Sequence, residues 1–252
     1  MRRTPWLVGL LGALAAASIA WARGSAVTPQ QAARMLAQAE ATACAGDLTG
    51  AITTALEVCE RAPDFAPAHG TAAVLLQRQR DEARARDHYA RFQLAGLLAC
   101  GAADSDLTRQ IAQAEGLLVH LCNEERIQRG LSPLRPDLTL AEMARRHSEE
   151  MRDLGYFSHS SPVPANATLE ARYRNIFRTA PRMLAENVSR MYGTLWSFTP
   201  DNIRQSHQRL MSSSGHCRNI LWDRVDSIGV GIAVSNRGDY WITQNFALLG
   251  VQ

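Results

Sequence analysis

The apolar residues of this chain change their period once, and that change constrains its fold more than any other feature. From about position 30 to position 129 they recur three and four residues apart, the spacing of one helix face. Leu48, Ile52, Ala55, Leu56 and Cys59 follow it, as do Ile111, Ala114, Leu117, Leu118, Leu121 and Cys122. Strict alternation comes only near the C-terminus. There Ile228, Val230, Ile232 and Val234 precede an Asn236-Arg237-Gly238 turn and a return strand through Tyr240, Ile242 and Phe246. The second half therefore reads as α+β, helices flanking a small antiparallel sheet, behind an all-α first half.

Breaks divide the first half into short helices. Ala33, Leu36, Ala37 and Glu40 begin one; Gly46-Asp47 separates it from the next, which Ala62-Pro63-Asp64 stops. Segments 68–79 and 81–98 repeat the plan. Gly46-Asp47 and Arg80-Asp81 stand 34 positions apart, and Ala51 falls on Ala85 at that offset. This stretch resembles tetratricopeptide helix pairs, though with fewer large residues at its packing positions. Two repeats are fewer than usually stand alone, so the module is expected to lean on its neighbour. As a role, a spacer or cap is preferred over a surface for a protein partner. Cys44 and Cys59 fall on adjacent helices of one hairpin. They are the preferred disulfide pair, the other reading being two small buried hydrophobes.

The N-terminus reads as an address. Arg2 and Arg3 precede an apolar run over 6–19, and Ala20-Trp21-Ala22 supplies the small residues of a cleavage site. Residues 1–22 are expected to be a cleaved signal peptide for a periplasmic or secreted protein; the alternative is an N-terminal membrane anchor. All 27 basic residues are arginine, and loss of Arg2 and Arg3 leaves 25 of them against 24 acids. That balance argues against a nucleic-acid binder driven by counterion release. All five cysteines lie beyond the cut, where disulfides can persist, and their odd number leaves at least one unpaired.

Further on, one long helix is expected over 107–129, an amphipathic one over 138–154 ended by Gly155, and a short one over 169–177. Met183 to Val188 reads as a strand. The organisation expected is a signal at 1–22, helical repeats at 23–103 and an α+β domain at 104–252.

Four histidines bear on function. His147 lies on the apolar face of its helix and reads as a satisfied core histidine. His159 sits in a polar loop, and His216 follows Gly215 ahead of a helix start. His207 reads as a surface histidine. Glu186 interrupts an apolar strand, so its burial must be offset by partners. Two loop histidines and a semi-buried glutamate suit a divalent ion with an open position or a proton-transfer pair, although their spacing matches no local zinc motif. Ser212, Ser213 and Ser214 read as a polar turn capping a helix that starts near Cys217, in preference to a nucleophile beside His216.

Several blocks, in order, carry a resemblance. Leu118-Val119-His120-Leu121-Cys122-Asn123-Glu124-Glu125-Arg126 is followed by Ala144-Arg145-Arg146-His147-Ser148-Glu149-Glu150-Met151 and Gly155-Tyr156-Phe157-Ser158-His159. Ala185-Glu186-Asn187-Val188, Ser213-Ser214-Gly215-His216-Cys217-Arg218-Asn219-Ile220-Leu221 and Tyr240-Trp241-Ile242-Thr243-Gln244-Asn245-Phe246 complete the series. They resemble bacterial members of the CAP superfamily of cysteine-rich secretory, antigen 5 and pathogenesis-related 1 proteins (SCP-like). The resemblance implies an α-β-α sandwich with a cleft lined by His159, His216 and Glu186, where some members bind a divalent metal such as zinc. A second glutamate of other branches falls near Ser213, and a family tryptophan is replaced by Leu210. His207, one helical turn before Leu210 and Met211, is the candidate replacement ligand, a surface role being preferred. The reading that follows is a binding module, leaning to non-enzymatic, for a lipid, cell-envelope component or protein. The alternative is a metal-dependent hydrolase using His159, His216 and Glu186, with Glu186 as general base.

Overall fold

The structure, a computed structural model, describes residues 27–193 and 198–250. The expected signal at 1–22 lies outside the described residues. Among those described, no helix is long and apolar enough to cross a membrane.

The first half folds as four helices, α1 (Pro29–Cys44), α2 (Leu48–Arg61), α3 (Ala66–Arg78) and α4 (Glu82–Ala99). Each packs on the next, and α1 also touches α3. The offset read in the sequence has a structural counterpart. Asp47 caps α2 by accepting from the Gly50 amide, and Asp81 caps α4 by accepting from the Arg84 amide. The residue before each cap, Gly46 and Arg80, has a positive φ, 99° and 68°. Glycine takes that conformation without strain, whereas arginine does not.

The second half contains α5 (Asp106–Gln128), β1 (Arg135–Pro136), α6 (Leu138–Leu154), α7 (Leu169–Phe177), β2 (Leu184–Met191), α8 (Pro200–Ser212), α9 (Ser214–Ile220), β3 (Ser227–Val234) and β4 (Tyr240–Ala247). The sheet order is β1-β3-β4-β2, with β1 parallel to β3 and the other pairs antiparallel. Alternation assigns the two faces. Gly229, Gly231, Thr243 and Asn245 lie towards α6, where a Cβ on Gly231 would come within 2.0 Å of the Arg145 backbone nitrogen. The two glycines thus let helix and sheet backbones meet. On the opposite face Gln244 donates to Cys122 Sγ of α5 at 3.4 Å, and the Tyr240 hydroxyl meets Ser206 of α8 at 3.2 Å. Helices therefore cover both faces of the sheet.

The two halves share one core, a continuous set of buried apolar residues that runs from Ala32 to Phe246. At their junction Glu115 of α5, wholly buried, accepts from Arg145 of α6 at 2.7 and 2.9 Å and from the Ile232 amide of β3 at 3.0 Å. Arg145 also donates to Gln93 of α4 at 2.7 Å. Burial works against the Arg145 charge, yet Glu115 holds its pKa above the ordinary value. A second network runs through Gln77, Tyr89, Asn123 and Leu134, tying α3 and α4 to α5 and the loop before β1.

The structure corrects several expectations. Cys44 and Cys59 are not bridged, and all five cysteines are free thiols. Cys44 is exposed at the end of α1, whereas Cys59 is buried and turned towards His88 of α4, 3.8 Å away. His207 is not on the surface; it is 3% exposed, and neither ring nitrogen has a hydrogen-bond partner among the described residues. Its burial pushes the imidazole pKa down to about 4. The helix expected from Cys217 starts three residues earlier, at Ser214, and Ser213 joins it to α8 without a side-chain cap. Helix α8 itself was not anticipated, because few apolar residues mark its face.

Candidate functional site

Glu186 lies on edge strand β2 opposite Asn245, on the face turned towards α6. Its carboxylate is almost fully buried and surrounded by donors. Arg172 of α7 reaches it through Nη2, 2.9 Å from Oε1 and 2.7 Å from Oε2. His159 Nδ1 lies 3.0 Å from Oε1, and Asn245 donates to Oε2 at 3.3 Å. These contacts supply the partners that a carboxylate in an apolar strand requires.

A carboxylate only accepts, so the His159 Nδ1 facing it carries a proton, and Nε2 is the ring nitrogen turned away from Glu186. The ring is anchored at one nitrogen while its side chain stays 54% exposed. Arg172 fixes the same loop from beneath, donating through Nη1 to the carbonyls of His159 and Asn166 at 3.1 and 3.0 Å. Behind it His147 donates from Nε2 to the Ser158 carbonyl at 3.1 Å, with that nitrogen 3.9 Å from Glu186 Oε1. Burial, first among the causes, holds His147 below its ordinary pKa although Glu186 pulls the other way. Next to it, Glu150 accepts from Tyr156 at 2.5 Å and from Asn166 at 2.7 Å. Burial raises the Glu150 pKa, but hydrogen bonding with Ser161, Tyr156 and Asn166 outweighs it and holds the carboxyl below its usual range. A small pocket opens here, lined in part by His147, Glu150, Asn166 and Arg172.

His216 lies on α9, whose position against β2 is set by side-chain amides. Asn187 donates to the His216 carbonyl at 3.2 Å, and Asn219 donates to the Glu186 carbonyl at 3.1 Å and to Asn187 Oδ1 at 2.9 Å. The His216 ring is half-buried, and burial together with the charge of His159 lowers its pKa. Ser213 stands at the α8–α9 junction three residues before it.

Of the residues named from the sequence, then, Glu186 and His159 are in direct contact, His216 stands near enough to feel the charge of His159, and Ser213 only shapes the turn. Arg172 was missed. It shares one helical face with Leu169, Tyr173 and Ile176, and a charged residue on an apolar face was the available signal.

The cleft as arranged does not suit the divalent ion that the resemblance implied. Both Glu186 oxygens already accept from a guanidinium, which places a positive charge beside the carboxylate that a cation needs. Among the described residues, the His/Cys/Asp/Glu group whose ligand atoms all lie within 4.8 Å of one another is instead Cys59, His69 and His88.

Comparison with known proteins covers this second half. Residues 119–246 match the family model described as "CAP: Cysteine-rich secretory protein family". The uncharacterized protein YkwD of Bacillus subtilis (strain 168) is 33% identical over 137 residues, which is 54% of this chain and 48% of that protein. The chain thus spans about half the length of the curated relative it matches. An extracellular protein containing a SCP domain from Bacillus anthracis aligns at 25% identity with a TM-score of 0.45, over 59% of this chain and 45% of the other. An outer surface protein of Borrelia burgdorferi aligns at 14% identity with a TM-score of 0.45, over 54% of this chain and 92% of the other.

Proposed function

This chain belongs to the cysteine-rich secretory protein (CAP) family, and from that premise we propose that it is an exported, non-enzymatic binding module. In this reading the cleft takes a hydroxyl- or amide-bearing component of the cell envelope, and the helical half, a tetratricopeptide-like pair of hairpins, holds the cleft in place. One observation carries the choice between binding and hydrolysis. Glu186, the carboxylate that would serve as general base, is held on both oxygens by Arg172. With His159 and Asn245 as well, four contacts occupy the roughly four lone-pair sites of the carboxylate, so a water could reach it only by displacing one of these donors. What faces outwards is the rim, His159 Nε2 and the His216 imidazole. Imidazole nitrogens make single hydrogen bonds to hydroxyl and amide groups. Export is supported by the signal-like pattern of residues 1–22.

The test is a binding assay with purified cell-wall sacculi as the probe and phosphatidylglycerol vesicles as the comparison. Saturable, reversible binding to sacculi without release of soluble fragments is expected, weakened about tenfold in the His159→Ala, His216→Ala double variant, a loss of roughly 1.4 kcal/mol. Fragment release that disappears in the double variant would establish the hydrolase instead. Preference for the vesicles would replace the cell-wall ligand by a lipid.

A further inference from the structure

The helical half holds a group of side chains that the cleft does not use. Cys59 in the last turn of α2, His69 in the first turn of α3 and His88 on α4 place one ligand atom each within 4.8 Å of the others. His88 Nδ1 is 3.0 Å from His69 Nδ1 and 3.8 Å from Cys59 Sγ. Tetrahedral zinc with Zn–N of about 2.0–2.1 Å and Zn–S of about 2.3 Å sets neighbouring nitrogens about 3.3 Å apart, and nitrogen and sulfur about 3.6 Å apart. Shifts of a few tenths of an ångström bring these two distances to those values.

The hydrogen bonding points the same way. His69 Nε2 lies 2.9 Å from the Pro63 carbonyl, which only accepts, so Nε2 carries the proton and Nδ1 turns a lone pair towards His88. A backbone carbonyl fixing the far nitrogen is the usual outer support of a metal-bound imidazole. Cys59 and His69 are buried and His88 is half-buried. The charge of Arg91 reaches all three groups, but Arg91 is paired with Asp87 at 2.8 Å. Glu186 in the cleft, by contrast, has its guanidinium in direct contact.

We propose that Cys59, His69 and His88 form a zinc site that clamps α2, α3 and α4 together. One thiolate and two imidazoles favour a borderline-soft ion over magnesium or calcium. On binding, the Cys59 thiol releases its proton to solvent as the Zn–S bond forms, and the His88 proton that faced His69 moves from Nδ1 to Nε2 through solvent, so uptake is accompanied by release of one proton. Because the ligands come from three helices, occupancy stabilises the helical half against unfolding.

The test uses the full chain, reduced and stripped with a chelator, then titrated with zinc while thermal unfolding is followed, and in parallel with cobalt(II) as a visible probe. One equivalent per chain, a rise in Tm and a thiolate-to-cobalt charge-transfer band are expected. Cys59→Ser should abolish the band, and His88→Gln should weaken zinc binding by at least about tenfold. His88 is half-buried on its helix, so its variant tests the site even if Cys59→Ser does not fold. Binding should persist in Cys44→Ser, Cys100→Ser and in His159→Ala, His216→Ala. Absence of binding, a cobalt spectrum without the thiolate band, unchanged affinity in His88→Gln, or loss of binding in the cleft variant would each overturn the proposal. Of these outcomes, only loss of zinc binding in the cleft variant would also bear on the cleft reading, because it would place the ion between His159 and His216.

Discussion

Two buried arginine–glutamate pairs organise this molecule, and they differ in where their second partners lie. The side chains of Arg145 and Glu115 are 6% and 0% exposed, those of Arg172 and Glu186 5% and 2%, so burial does not distinguish them. Glu115 completes its bonding with a strand amide and its arginine turns to Gln93, so that pair is closed within the protein. Glu186 completes its bonding with His159, whose ring is half in solvent. The same ion pair is a joint between two halves of the fold in one place and the floor of a cleft in the other. What separates structural from functional use is whether the network ends inside or at the surface.

The largest expected effect tests the closed pair. Arg145→Met leaves the Glu115 carboxylate with one amide donor, and should lower stability in urea unfolding by about 3–5 kcal/mol. Adding Glu115→Leu should recover part of that loss, since no charge is then left buried. A single-variant loss below about 1 kcal/mol would break the comparison.

The closed side also holds His207, near Glu125, whose charge reaches it. Its pKa is pushed down by burial to about 4 from an ordinary 6.5, so the unfolded chain takes up its proton first as pH falls. The sign follows: stability from this group is complete above pH 6.5 and is lost progressively as pH falls towards 4, by about 3 kcal/mol in all. Urea unfolding from pH 7 to pH 4 should show that much less acid loss in His207→Leu than in the parent. Equal slopes would mean that His207 finds a partner or water in the folded state.

Arg172→Met comes next. Glu186 keeps donors from His159 and Asn245, one of them at the surface, so a loss of about 2 kcal/mol is expected. If it costs as much as Arg145→Met, the cleft floor is as closed as the joint. The smallest stability effect belongs to His159→Ala, within about 0.5 kcal/mol because the ring is half-exposed, while ligand affinity still falls. A large stability loss there would make His159 a structural residue.

Much of the fold could be read from the sequence. The helices at 138–154 and 169–177 have the ends read from their apolar faces and stop signals, and the alternating run became β3 and β4. The repeated Asp47 and Asp81 became two helix caps. Helix α8 escaped because, apart from its ends, Ile203 and Leu210 are its main buried apolar residues and the intervening residues are polar. His207 was misplaced for the same reason: it stands four residues after Ile203 and three before Leu210, on their face, but two apolar residues make a thin stripe. In the site, Glu186 and His159 were identifiable as chemistry out of place, a carboxylate in a strand and a histidine in a polar loop. Arg172 carried a comparable signal on α7 but no hint of its partner.

Local physics explains the division. Helix faces, strand alternation, caps and turns depend on neighbours a few residues away, so the sequence alone determined the order and type of most elements, and the family blocks along them. Which charges meet is a long-range matter. Arg145 reaches Glu115 across 30 residues, His159 reaches Glu186 across 27, and Cys59 faces His88 across 29. No periodicity encodes such pairings. The first two rest on Gly229 and Gly231, which let α6 settle on the sheet, and on α7 packing against β2; the third rests on the stacking of α2, α3 and α4. Only the tertiary structure could show that Glu186 is already paired with an arginine and that a cysteine and two histidines converge in the other half.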